Sequence, residues 1–337
     1  MKRRAPVVLF AGLALAAAFL ANLALGASAV PLAKILAALT HFNDADYDHF
    51  VVLYQRLPRA LIAMFVGAVM ACGGCMLQGL TRNPLAAPSV LGITAGATLF
   101  VVAGASLFAM TADWQGIAAI AGGMFGFAST VFVARMAGLS RDPRGLALIL
   151  SGAVVSMLYV SIATALLLAS PSRRNDFLGW VTGNINHVYA ERLYAFWWIG
   201  AAGLVVMMLL ARPLTLVALG PDKAASSGVN VKLITPLALA SVVVSASAAV
   251  AICGPIGFVG LVVPHIVRPF AGDAFTVALP ANALLGASIV LLADIAARSA
   301  FAPFVIHTGV VMDLVGGLVF AVIVKRFYLS SGPRRFA

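Results

Sequence analysis

Charge is what this chain has least of. Only 10% of its 337 residues are charged, and just 11 are Asp or Glu, whereas soluble domains carry about 25% charged residues. With 62% hydrophobic residues and a mean hydropathy of +1.05, a water-soluble globule could not cover its apolar side chains. Intrinsic disorder is excluded by the same excess, since it requires low hydrophobicity. Cysteine is scarce: Cys72, Cys75 and Cys253 all lie in apolar runs. Cys72 and Cys75 have Cys-x-x-Cys spacing, but no second Cys/His pair flanks them. Small thiols packed between helices are the expectation, and no metal site is. A Gly-x-x-x-x-Gly-Lys-Ser/Thr loop is missing, so any ATP and its Mg are bound by another chain and this one needs no cofactor. A His-Glu-x-x-His motif is missing too, which removes the main ground for an intramembrane enzyme.

What charge there is has one sign. The net value is +11 and the pI is about 10.2. No basic runs interleave with exposed aromatics, so nucleic acid is not an expected partner. The positive balance instead reports membrane orientation and contact with anionic lipid.

Apolar runs of spanning length, roughly 20 residues, recur along the whole chain. They predict ten spans, near 7–29, 60–80, 89–110, 115–136, 145–169, 191–211, 233–253, 256–270, 277–297 and 305–325. This is an all-α polytopic membrane protein, one permease-like domain over 1–337, with 7–325 in membrane helices. The basic start Met1-Lys2-Arg3-Arg4 and the possible cleavage site Ala27-Ser28-Ala29 resemble a signal peptide. The apolar run between them is too long for one, so it is read as a retained first helix. Ten spans put both ends, 1–6 and 326–337, on one side. Most of the 22 Lys and Arg, including Arg82, Arg141, Arg144, Lys223, Arg268, Arg326, Arg334 and Arg335, also fall there, which makes it the cytoplasmic side. Lys34, Arg56, Arg59, Arg173, Arg174, Arg192 and Arg298 fall outside, with acids such as Asp176 and Asp294.

Four stretches carry more than hydropathy. Arg56-Leu57-Pro58-Arg59 opens the second span, with Pro58 well placed near a helix start, and sets two cations against the inside bias. Gln78 through Gly92 holds Pro84 and Pro88, which break the backbone at the membrane edge. Ala218 through Val231 is the longest polar inner loop; its Ala-rich centre predicts a short helix between Pro221 and a stop at Gly228. Gly254-Pro255-Ile256-Gly257-Phe258-Val259-Gly260 precedes Pro264-His265 and marks an interrupted span of the kind that borders a pathway. In the last span, His307 and Asp313 are six residues apart, about 240° around a helix, and so do not share a face. An ionisable residue there marks a partner helix or a polar lining.

Taken together, these stretches resemble the permease subunits of ferric-siderophore and cobalamin ABC importers, the FecCD-like family. Ala293-Asp294-Ile295-Ala296-Ala297-Arg298 matches the family's ninth-span ending, and the likeness covers about residues 50–325. It implies a ten-helix subunit of type II importer architecture in the bacterial inner membrane. This subunit would pair with a second permease subunit, either a copy or a similar chain. A periplasmic or lipid-anchored binding protein would deliver cargo outside and two ATPase subunits would bind inside. Arg56, Arg59 and Arg298 match arginines that dock the binding protein. Leu219, Gly220, Asp222, Lys223, Ala224, Ser226, Gly228 and Val229 match the ATPase-coupling segment. Asn83 and Leu85 match a cytoplasmic gate, and His307 and Asp313 are candidate pathway residues. The chain departs from relatives at Pro221 and Ser227, at Gly145 and Leu146, and most of all over Val305-Ile306-His307-Thr308-Gly309. Iron–siderophore is the expected cargo, ahead of cobalamin or haem. An ion-coupled secondary transporter is the rival, resting on Asp294, His307 and Asp313 alone.

Overall fold

A computed structural model describes residues 5–26, 28–137, 146–169, 179–300 and 304–325. The expectations placed on Lys2, Arg3, Arg4, Ala27, Arg141, Arg144, Gly145, Arg173, Arg174, Asp176, Arg326, Arg334 and Arg335 lie outside these residues. Among the described residues the structure is helical and has no strands. In chain order the helices are α1 (Ala5–Ala24), α2 (Leu32–Thr40), α3 (Tyr47–Thr81), α4 (Ile93–Phe108), α5 (Ala112–Met136), α6 (Leu146–Ala169) and α7 (Ala190–Leu209). They continue as α8 (Ala211–Leu219), α9 (Pro221–Ser226), α10 (Val231–Cys253), α11 (Val259–Ala271), α12 (Phe275–Ser299) and α13 (Thr308–Val324). Seven are long and apolar enough to cross a membrane: α1, α3, α5, α6, α7 with the turn before it, α10 and α12. Helices α4, α11 and α13 are apolar but shorter. Each of the ten expected spans therefore has its helix, three of them below full spanning length.

Two boundaries move. The first span stops at Ala24, and the residues after it fold into α2, which buries Ile35 and Ala38 and exposes Leu32, Leu36 and Leu39. The second span begins at Tyr47, so Pro58 lies inside a continuous helix. The turn just before it, Val51–Arg56, is π-helical. Proline lacks the N–H that would continue the α ladder, and a widened turn absorbs the mismatch. Outside the spans, Asp46 caps α3 by accepting from the Asp48 N–H at 2.9 Å. That bond, helped by Lys34 3.4 Å away, holds its carboxyl below the usual carboxylate range.

Helices α3 and α10 form the centre and are buried nearly all round; α1, α5, α6 and α7 leave most of their surface exposed. Lipid offers no hydrophobic drive between helices, so close approach has to come from small side chains. Gly67 of α3 lies against Gly286 of α12, and a Cβ on either would collide with the other's carbonyl. Gly96 of α4 and Gly122 of α5 do the same. Buried hydroxyls bond back into their own helices, as Thr98 does to the Thr94 carbonyl (2.9 Å) and Ser247 to that of Val243 (2.7 Å). That leaves neither of these two an unpaired donor in an interior without water.

Replacing Gly67 with Leu overpacks the α3–α12 crossing, at a typical cost of about 1–3 kcal/mol. Thermal unfolding of the purified protein should fall by several degrees. Gly12→Leu on α1, where a Cβ meets nothing within 4 Å, should leave it unchanged. Equal behaviour of the two variants would contradict the crossing.

Candidate functional site

The candidate site residues fall at two ends of the bundle. About 23 residues of α3, some 35 Å of helix, separate Arg59 from Arg82. At the arginine end, Asp294 of α12 is fully buried. It accepts from Arg59 Nη2 at 2.7 Å, Asn22 Nδ2 at 3.1 Å and Thr308 Oγ1 at 3.1 Å, and pairs with Arg298 Nε at 3.2 Å. One carboxylate thereby joins α1, α3, α12 and the start of α13. Arg298 also donates to the Asn22 carbonyl at 3.1 Å. Arg56 is buried too. Its Nη1 donates to the Leu23 and Ala24 carbonyls at 2.7 and 2.8 Å, and its Nη2 to Ser28 at 2.6 Å. These carbonyls lie at and just beyond the end of α1, where helix acceptors lack intrahelical donors. The structure thus brings Arg59 and Arg298 together on one acid and sets Arg56 beside them, with Arg56 and Arg59 turned inward rather than projecting as surface cations. Nearby, Arg192 donates to Gln115 at 2.6 Å and lies over the rings of Trp180 and Tyr189 at 5.9 and 5.7 Å. Sequence reading had flagged neither Asn22 nor Gln115. A lone amide in an apolar run was the available signal for Asn22.

At the far end a cavity of about 1160 Å³ opens, lined among others by Cys75, Gln78, Arg82, Asn83, Leu85, Leu219, Arg268, Asp273 and Asn282. Both candidate gate residues lie on it. Asn83 is buried, and its Oδ1 accepts from the Leu85 N–H at 2.9 Å; this Asx turn reverses the chain after α3. Gln78 solves a backbone problem. Pro264, inside α11, has no N–H for the carbonyl of Gly260 four residues earlier. Gln78 Nε2 donates to that carbonyl and to Leu261 O, at 3.3 Å each. His265 is a satisfied helix residue on one side, its Nδ1 2.7 Å from Leu261 O. Cys72 is buried and donates to Leu279 O at 3.3 Å, and the three cysteines are free thiols.

The expected short helix is α9, with Pro221 in its first turn and Gly228 beyond its end at φ +81°. Asp222, Lys223, Ser226 and Gly228 are exposed, Val229 is half-buried and Ala224 is fully buried. Gly220, at φ +136°, makes the corner between α8 and α9, and Leu219 before it reaches the cavity. The segment is an exposed short helix anchored by Ala224.

The last helix differs from expectation. It starts at Thr308, so His307 is its N-cap residue rather than part of it. His307 faces Gly179, whereas Asp313 faces Gly257 in the non-helical stretch between α10 and α11. Asp313 also lines a small recess of about 170 Å³ with Ser89, Thr94 and Thr182.

Comparison with known proteins gives a consistent likeness. The FecCD transport family matches residues 14–326. The iron(3+)-hydroxamate import system permease protein FhuB of Bacillus subtilis (strain 168) is 34% identical over 338 residues, 98% of this chain and 84% of that protein. The Fe(3+) dicitrate transport system permease protein FecD of Escherichia coli (strain K12) is also 34% identical, over 92% of this chain and 95% of that one. A solved inward-facing ABC transporter, described as of metal-chelate type, superposes with a TM-score of 0.76 at 27% identity. It covers 96% of this chain and 99% of that one.

Removing the Asp294 carboxylate leaves two buried guanidinium groups without their shared counter-charge. Asp294→Ala should cost about 3–5 kcal/mol, read as lost thermal stability and poor recovery of folded protein. Asn22→Ala, which removes a neutral partner, should cost only about 1–2 kcal/mol. Equal losses would show that the charge is not what matters.

Proposed function

The chain belongs to the FecCD transport family and is a membrane permease subunit of an ABC importer, and we propose that it carries a ferric–siderophore complex across the bacterial inner membrane. The observation that carries the cargo assignment is the near full-length likeness to permeases named for ferric hydroxamate and ferric dicitrate. Cobalamin or haem import by the same mechanism is the second reading.

In this reading two ATPase subunits bind the face that carries α9. A six-residue helix with one buried anchor and an exposed Asp222-Lys223 corner can be pushed as a unit. Leu219 and Gly220 connect it to the far-end cavity, so its movement reaches Asn83 and Leu85. That end, and both chain ends, are then cytoplasmic. ATP binding and hydrolysis shift the balance between inward- and outward-open arrangements, which is alternating access. The exposed apolar faces of α6 and α13, including Val154, Met157, Leu314 and Leu318, meet the second permease subunit and enclose the pathway.

The arginine end receives the external binding protein. Arg59 and Arg298 share one carboxylate, Asp294, with Arg56 beside them, and so leave a locally positive field around these four groups. Such a field attracts acidic partner surfaces and speeds encounter, even where the guanidinium groups are half-buried or deeper.

Two measurements test this. In a strain lacking the gene, uptake of iron-55 supplied as siderophore complexes should be lost and return with the gene, while cobalamin uptake is unaffected. Loss of cobalamin uptake alone would reverse the cargo. With the assembled importer in nanodiscs, Arg298→Gln should slow binding-protein association several-fold at low salt, and the difference should shrink as salt rises. Undiminished association would remove the arginine end as the docking face.

A further inference from the structure

Asp313 is an acid within a span that has no partner among the described residues. Among the described residues it makes no hydrogen bond and no ion pair, in contrast to Asp294, which is paired on all sides. It sits a turn and a half into α13 and is exposed. An ionisable side chain in a span is stable only where it faces water or a partner. The surroundings meet that requirement. Asp313 lines the recess of about 170 Å³ with the hydroxyl residues Ser89, Thr94 and Thr182 and the non-helical backbone of Pro255 to Gly257. Among the described residues no Lys, Arg or His lines it. Gly257 makes the arrangement possible, because a Cβ there would strike Asp313 Oδ1. Irregular backbone at membrane depth is tolerated where it borders a water-filled cavity. The recess can hold a few waters or one ammonium head, and it is too small for a whole ferric chelate.

We propose that the Asp313 recess is a cation-preferring station on the translocation path, and that it biases this importer toward ferric chelates that are neutral or carry an ammonium group. Trihydroxamates are the chemical class that fits. Polyanionic chelates such as ferric citrate or ferric tris-catecholates are disfavoured, because a carboxylate next to low-dielectric walls repels them. The hydroxyls and backbone carbonyls around the recess accept hydrogen bonds from an ammonium group as it passes. The cargo half of this inference rests on the iron–chelate function proposed above; the charge of the recess does not.

The test uses the assembled importer with its ATPase and binding protein. Ser89→Cys places a thiol on the recess, and its reaction with positively and negatively charged methanethiosulfonates reports the local potential. The parent protein corrects for Cys75. With Asp313 present, the cationic reagent should react about tenfold faster than the anionic one. Asp313→Asn should lower that ratio several-fold and Asp313→Glu should keep it. A ratio unchanged by Asp313→Asn, or a thiol inert to both reagents, overturns the recess. In the second arm, uptake of a ferric trihydroxamate bearing a free ammonium is compared with uptake of ferric citrate. The preference for the former should fall several-fold in Asp313→Asn and survive in Asp313→Glu. An unchanged preference overturns the selectivity. Failure of the wild-type importer to take up any ferric chelate overturns the iron function and the cargo half with it, while the reagent ratio still decides the recess.

Discussion

A buried carboxylate shared between guanidinium groups holds one end of this protein together. Asp294 binds Arg59 and Arg298 and takes further hydrogen bonds from Asn22 and Thr308. In lipid, neither a charge nor a backbone break can borrow water, so each has to be matched by protein. Several other breaks in the bundle are met in the same way. Pro264 frees a carbonyl on α11 and Gln78 of α3 occupies it. The end of α1 leaves carbonyls open and Arg56 closes them. Where helices cross closely, glycine pairs such as Gly67 and Gly286 take the place of the hydrophobic drive that lipid removes.

This rule separates structural from functional polar groups. Arginines that a linear reading assigns to the surface are used in part to seal the fold. Arg56, Arg59 and Arg298 still outnumber Asp294 where the four cluster. Asp313 is the opposite case, an acid that has no partner among the described residues and sits beside a polar recess and a glycine that makes room for it. Helix α9 and the Asn83–Leu85 turn belong to the other end, where the large cavity meets Leu219, Asn83 and Leu85. The two ends are thus chemically distinct.

Much of this was legible in the sequence. Ten apolar runs correspond to ten helices because lipid demands long unbroken hydrophobic stretches. Pro221 and Gly228 bracket α9 as their backbone preferences require. The misses are also physical. Helix α2 has only partial amphipathic character and follows a long apolar run that masks its start. Pro58 reads as a helix beginning, yet the chain passes through it by widening one turn. His307 reads as part of the last span, but that helix starts one residue later. The partnership of Asn22, Arg59 and Asp294 spans more than 230 residues, and no local pattern encodes such a contact. Residue types and spacing located the arginines; only the folded chain shows what they hold.

The most direct measurement is transport by purified components. The chain, its ATPase and its binding protein would be reconstituted in liposomes with ATP on the motor side and a labelled ferric siderophore on the binding-protein side. The account predicts accumulation that requires both ATP hydrolysis and the binding protein, and that ceases when either is omitted. Movement of the chelate by this chain alone, driven by an ion gradient without ATP, would contradict it.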